Sequence, residues 1–200
     1  MDNINNIIKN LKELLLERGD NIDEFEEHEA DIDEDMYKSS IVEFNTSNTT
    51  LIFALSRIIR KKILDELKSM NIESFINKYN NKNNIIIIFN NDTISTPIVK
   101  QLNMYDKMFQ KKGGSLQYFQ IKNLAFNPTK HELVPKHTKL SQEEVMQLMD
   151  KYLIKGKIQM PYILRSDVIA KWLGLKQGDV VKIARVNENS GVSYYYRVCV

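Results

Sequence analysis

His131-Glu132 and His137 put two imidazoles and a carboxylate within seven residues, raw material for a zinc-dependent hydrolase. That chemistry needs two histidines four apart on one helical face, with the glutamate beside them as base. Here the histidines are six apart and Pro135 lies between them, so no continuous helix can present both. The stretch reads instead as a polar turn whose imidazoles bond to nearby backbone, and a hydrolase built on His131, Glu132 and His137 is the disfavoured reading. Cys199 is the one thiol, and a nucleophilic thiolate needs a base and electropositive surroundings. On a terminal strand it reads as a small core hydrophobe. Gly113-Gly114 lacks the Lys-Ser/Thr that completes a phosphate-cradling loop. Glu143-Glu144 falls at a helix start, where carboxylates complement the helix dipole. The expectation is a chain with no catalytic constellation, no metal and no cofactor.

Charge is nearly balanced, with 28 basic and 26 acidic residues, but it is unevenly spread. Residues 19–36 hold ten acids and no Lys or Arg, so the rest carries 28 basic against 16 acidic side chains. A basic excess suits a partner bearing phosphates. Arg57, Arg60 and Lys61 are candidate phosphate contacts, against the plainer reading of a solvated helix face. A single cysteine excludes an internal disulfide and points to a reducing compartment. No apolar run reaches membrane-spanning length, and the N-terminus has no secretory pattern. The Asn-x-Ser/Thr triplets at Asn45, Asn48 and Asn91 therefore carry no weight, and Arg18-Gly19-Asp20 reads as a helix end rather than an adhesion motif.

The elements that would position these residues follow from periodicity. Ile4, Ile7, Ile8, Leu11, Leu14 and Leu15 share a helical face that Gly19 ends. The acidic stretch to Met36 has apolar residues too loosely spaced for a firm helix, and reads as a solvated helix or a partly mobile segment. Ile41–Phe44 and Leu51–Leu55 read as strands. Ser56 caps a helix placing Ile59, Ile63, Leu67 and Met70 inward. Asn77–Asn84 reads as a polar linker, and Ile85–Phe89 as a strand buried on both faces. Thr96-Pro97 reads as a cap and first-turn proline for a helix carrying Ile98, Leu102, Tyr105 and Phe109. Leu116–Ile121 is a fourth strand. The alternation predicts an α/β layer with a four-stranded mixed sheet.

Past Asn127, the prolines Pro128 and Pro135 break regular structure, and the domain boundary is expected there, with residues 1–127 and 128–200 as two domains. Ser141-Gln-Glu-Glu144 is a capping box opening a helix with Val145, Leu148, Met149 and Tyr152 as its buried stripe, ended by Lys155-Gly156-Lys157. Ser166 or Asp167 caps a short helix carrying Val168, Ile169, Trp172 and Leu173, and Gly174 ends it. Lys176–Asp179 turns the chain into a hairpin, Val180–Val186 and Val192–Val200, with Tyr194, Tyr196, Val198 and Val200 on one face. Tyr194, Tyr195 and Tyr196 lie in a row, so both faces carry an aromatic. A strand apolar on both faces in so small a domain implies a covering partner.

The order Pro161, Asp167, Ala170, Gly174, Gly178-x-Val-Val-Lys-Ile183, Arg185, Glu188, Gly191 and Tyr196-Arg197 resembles the small RNA-polymerase subunit shared by the eukaryotic nuclear polymerases, which has an archaeal counterpart. The resemblance runs upstream through Asn127-x-Thr129-x-His131-x-Leu133-Val134-Pro135-x-His137. It implies a non-catalytic subunit of a multisubunit DNA-directed RNA polymerase. Residues 1–127 would form an N-terminal jaw-like α/β domain beside downstream DNA, touched through backbone phosphates without sequence preference. Residues 128–200 would form an α+β assembly domain of the archaeal type, docking on the largest subunit. By resemblance, that interface takes Pro161, Asp167, Trp172, Gly174, Gly178, Val181, Lys182, Arg185, Glu188, Gly191, Tyr196 and Arg197. His131, Leu133, Val134, Pro135 and His137 would mark the domain junction. Four places depart from the family pattern: Val168 for proline, Tyr162 for a basic residue, Lys171 for arginine, and the segment Val186-Asn187-Glu188 for Pro-Ser-Glu. The archaeal subunit lacks the N-terminal part, so its presence makes the chain look eukaryotic or viral. The abundance of Asn, Ile and Lys suits an AT-rich genome and points to a large DNA virus; the expected place is the nucleus if the source is cellular, and virion and host cytoplasm if it is such a virus. A free-standing nucleic-acid-binding module is the competing reading.

Overall fold

The computed structural model describes residues 4–23, 25–26, 37, 41–69, 84–90, 94–187, 189 and 191–200. The chain divides into two compact units, Met1–Phe126 and Asn127–Val200.

In the N-terminal unit, helix α1 (Ile4–Glu17) buries Ile7, Ile8, Leu11, Leu14 and Leu15, and the chain leaves it through Gly19 at φ 79°. Strands β1 (Val42–Asn45), β2 (Thr49–Ala54), β3 (Asn84–Phe89) and β4 (Ser115–Gln120) form one sheet in that order. β1 runs antiparallel to β2, and the β2–β3 and β3–β4 pairs are parallel, giving the mixed sheet expected from sequence. Helices α2 (Arg57–Ser69) and α3 (Thr96–Lys111) lie between the parallel strands in sequence.

Register sorts the side chains. Ile52, Ile85, Ile87, Phe89 and Leu116 share a face packed against Ile63 of α2 and Leu102, Tyr105 and Phe109 of α3. The opposite face carries Phe44, Leu51, Phe53, Ile86 and Ile88, all buried. Phe44 there meets Phe25 and Phe53 edge to face, at centroid distances of 4.7 and 5.7 Å. Arg18, just past α1, donates to Gln117 Oε1 of β4 at 2.8 Å, which ties α1 to this sheet. Burial pulls the Arg18 guanidinium down to about 10, with Asp20 opposing that fall. Each buried isoleucine or phenylalanine side chain contributes about 1.5–3 kcal/mol, so β3 alone outweighs any single cap or turn in this unit.

Several local expectations need correction. Ser95, not Thr96, stands at the N-cap of α3, without a side-chain bond; Thr96 and Pro97 are its first two helical residues. The acidic stretch is not simply solvated, because Phe25 is buried. Asn84 opens β3 rather than ending the linker; most of the acidic stretch, residues 77–83 of the linker and Met70 lie outside the described residues, as do the side chains of Ile59 and Leu67.

The C-terminal unit is a second four-stranded sheet, in the order β5 (Lys136–Lys139), β7 (Val180–Asn187), β8 (Gly191–Cys199), β6 (Tyr162–Ile163). Helix α4 (Gln142–Lys151) opens with the expected capping box: Ser141 Oγ accepts from Glu144 N at 3.2 Å, and Ser141 N donates to the Glu144 carboxylate at 2.8 Å. The helix stops before Lys155-Gly156. Tyr152 closes it and Leu153 takes a left-handed φ of 54°, so Tyr152 swings out and is about half exposed rather than part of the buried stripe. Helix α5 (Val168–Trp172) is capped by Asp167, whose Oδ1 accepts from Ile169 N and Ala170 N at 2.8 and 3.3 Å. Val168 points outward, while Ile169, Ala170 and Trp172 are buried. Gly174 and Gly178 follow at φ 64° and 87°, where a Cβ is strained, and Gly178 N donates to Cys199 O at 2.9 Å.

Candidate assembly interface

The β7–β8 hairpin carries the C-terminal unit's surface chemistry, and register assigns its faces. Val180, Lys182, Ala184 and Val186 lie opposite Val198, Tyr196, Tyr194 and Val192 on one face. Val181, Ile183 and Arg185 lie opposite Arg197, Tyr195 and Ser193 on the other. α4 covers the first face only at its base, where Val180 and Val198 meet Val145, Leu148 and Met160. α5 and the turn after it cover the second face only at its base, where Val181, Ile183 and Cys199 meet Ala170, Leu175 and Ile163. Both layers end before the hairpin tip. Val186 is 81% exposed, Val192 and Tyr194 53% each, and Tyr195 48%. Neighbouring strands are short too: β5 pairs only with Val181–Ala184, and β6 only with Val198 and Cys199.

The exposed rings are held by cations. Lys182 Nζ sits 4.1 Å from the Tyr194 centroid and Arg185 Cζ 4.6 Å from that of Tyr195, one pair on each face. The attraction of each cation to the ring face beneath it holds both side chains in a defined orientation. The base is pinned by Lys139 Nζ to Asp179 Oδ2 at 2.6 Å and by Lys157 Nζ donating to Gly178 O at 2.7 Å.

A cleft of about 250 Å³ opens on the Arg185 face. Its walls bring together two sets of residues that are far apart in sequence: Leu133, Val134, Pro135 and His137 from the turn, and Asp167, Arg185 and Arg197 from helix and hairpin, with Ile163, Ile169 and Ile183 between them. The turn is organised by its imidazoles. Leu133 N donates to His131 Nδ1 at 3.2 Å. His137 Nδ1 lies 2.6 Å from Pro135 O, which can only accept, so here Nδ1 carries the proton. Arg197 donates from one terminal nitrogen to Tyr162 O at 3.1 Å.

The residues singled out by resemblance separate by burial. Trp172 and Val181 are buried and belong to the unit's core. Gly174, Gly178 and Gly191 shape turns. Pro161 accepts through its carbonyl from Val198 N at 2.8 Å, closing the β6–β8 edge. Lys182, Arg185, Tyr196 and Arg197 keep surface at the hairpin, and Asp167 at the cleft. Glu188 lies outside the described residues. Burial pushes the Cys199 thiol up to about 11, the opposite of an activated nucleophile. In the N-terminal unit, Arg57 and Lys61 are exposed, whereas Arg60 is half-buried. Tyr194 and Tyr195 were absent from the residues implied by resemblance, yet their uncovered rings dominate the tip; only pairing register reveals that α4 and α5 stop short of them.

Residues 126–199 match the model of the RNA polymerase Rpb5 C-terminal domain family. The subunit Rpo5 of DNA-directed RNA polymerase from Pyrococcus abyssi is 49% identical over 75 residues, which is 90% of that protein and 38% of this chain. Rpo5 of Pyrococcus horikoshii matches to the same extent. The chain belongs to the Rpb5/Rpo5 family of RNA-polymerase subunits. The Dictyostelium discoideum subunit rpabc1 of RNA polymerases I, II and III is 40% identical over 105 residues, 52% of each chain. The chain thus spans about half the length of that eukaryotic relative. A match of 105 residues is longer than the unit Asn127–Val200 and so reaches back into the N-terminal unit.

Proposed function

We propose that this member of the Rpb5/Rpo5 family is a non-catalytic subunit of a multisubunit DNA-directed RNA polymerase, held on the largest subunit by its C-terminal unit. One observation carries the docking step: the hairpin tip displays Val186, Val192, Tyr194 and Tyr195 beyond both covering layers. Aromatics fixed beside cations, set on an open-ended sheet, have the composition of interface anchors. The N-terminal unit would lie beside downstream DNA, with Arg57 and Lys61 as phosphate contacts of no sequence preference. The eukaryotic relative's match reaching past the C-terminal unit supports a shared N-terminal role. The subunit would act wherever its polymerase transcribes, the nucleus in a cellular host.

The test is capture. Affinity-tagged full chain, expressed in its native source, should bring down the other polymerase subunits in stoichiometric amount. Recovery of the chain alone would sink the proposal. The basic excess outside residues 19–36 keeps one competitor, a free-standing nucleic-acid-binding module. Tight duplex binding by the isolated chain, falling steeply with salt, would favour that competitor.

A further inference from the structure

The cleft beneath Arg185 has a composition more specific than a general docking surface. Its floor is aliphatic, built from Ile163, Ile169 and Ile183. Its rim holds two guanidiniums, Arg185 and Arg197, and one carboxylate, Asp167. That carboxylate is already engaged as the α5 cap, accepting two backbone N–H groups. With two guanidiniums against one carboxylate, the rim is net positive around an apolar floor. Both guanidiniums are pre-positioned, Arg185 over the Tyr195 ring at 4.6 Å and Arg197 against Tyr162 O at 3.1 Å. Each contact uses only part of a fork with five N–H donors. A positioned fork loses less freedom on binding than a free one.

We propose that this cleft receives a short acidic segment of another polymerase polypeptide, seating one large apolar side chain on the isoleucine floor and an adjacent carboxylate between Arg185 and Arg197. The inference rests on the reading of the C-terminal unit as a docking module, and it names the chemistry of the partner. Charge complementarity selects the carboxylate. The floor selects against a bare phosphate, which would gain nothing from three isoleucines. At about 250 Å³ the cleft takes one side chain; pockets for whole small-molecule ligands begin at roughly 300 Å³.

Two measurements on the full chain test this separately from polymerase membership. In the first, isoleucine-methyl NMR follows titration with the capped peptide Ser-Glu-Leu-Glu-Ser, its Ser-Gln-Leu-Gln-Ser counterpart and a short DNA duplex. The Ile163, Ile169 and Ile183 methyls should shift with the acidic peptide, about tenfold more weakly with the amide peptide, and not with DNA. Equal response to both peptides, no response to either, or response to DNA alone overturns the proposal. In the second, the double variant Arg185→Glu/Arg197→Glu should be captured by polymerase about 30-fold or more weakly than wild type, with Arg185→Lys/Arg197→Lys between the two, since lysine keeps the charge but loses the fork. Unchanged isoleucine methyls away from the cleft verify folding. Undiminished capture of the charge-reversed variant overturns the cleft and spares the polymerase reading. Failure of even the wild type to be captured strikes the polymerase reading, and the peptide titration then decides the cleft by itself.

Discussion

Strand β3 and the β7–β8 hairpin are both rich in apolar side chains, yet they meet opposite fates. Ile85 through Phe89 are all 0% exposed, sealed by neighbouring strands at both edges and packed layers on both faces. The hairpin is equally apolar at its base, where Val181 and Cys199 are buried, but by Tyr194 and Val186 it has outrun α4 and α5. Apolar content therefore does not distinguish a sealed core from an exposed apolar surface. What distinguishes them is whether the covering layer is as long as the strand it covers.

The comparison breaks first if either core proves dispensable. Trp172→Ala should destabilise the C-terminal unit by about 3–5 kcal/mol, and Ile87→Ala the N-terminal unit by about 2–5 kcal/mol, read as lost amide-exchange protection in β7 and β3 respectively. A loss below about 1 kcal/mol at either site would mean that the buried cluster is not what holds its sheet.

The next largest effect separates stability from docking. Replacing the two exposed rings, Tyr194→Ser with Tyr195→Ser, should leave the free chain within about 1 kcal/mol of wild type by denaturant unfolding. Polymerase capture by the same variant should fall about 1000-fold, since interface aromatics of this kind are worth roughly 2 kcal/mol or more each and two are removed. The reverse pattern, a destabilised chain that still docks, would make the tip part of the fold.

Much of this contrast was legible from residue order. The β-branched run Ile85–Ile88 announced a strand buried on both faces, and Ser141-Gln-Glu-Glu144 announced a capping box, because each signal is local and chemically specific. The row Tyr194-Tyr195-Tyr196 correctly implied aromatics on both faces. What periodicity could not give was length of cover. Tyr152 fits the apolar stripe of α4, but a left-handed Leu153 ends the helix early and turns the ring outward. Val168 fits the α5 pattern, but sits at the first helical position, where the side chain projects away from the sheet. The cleft was least legible of all. His137 and Arg185 share it only because β5 pairs antiparallel with β7, a contact across more than forty residues that no local pattern encodes.

A smaller effect probes the wall between base and cleft. Asp167→Ala removes the α5 cap and should cost about 1 kcal/mol. It also strips the one carboxylate from the cleft rim. The acidic peptide should then bind no more weakly than to wild type, despite the lost stability. Weaker peptide binding would show that α5 itself, rather than charge, shapes the site.

The smallest effect lies within a single strand. Cys199 is buried at the covered end of β8, five residues from Tyr194 at the open end. Burial raises its thiol from 9.0 to about 11, so the folded chain keeps the proton that the unfolded chain releases above 9.0. This contribution to stability is full below pH 9 and is lost as pH rises towards 11. Comparing wild type with Cys199→Ala cancels the other alkaline titrations. The two should show the same pH dependence from 7 to 9 and diverge only from 9 to 11, wild type falling faster. Thiol alkylation at pH 8 should likewise run about tenfold or more slower in the folded chain than in denaturant, because the thiolate is the reactive form. Rapid labelling of the folded chain would mean that the base of the hairpin opens as readily as its tip, and the distinction between a covered end and an exposed end of one strand would disappear.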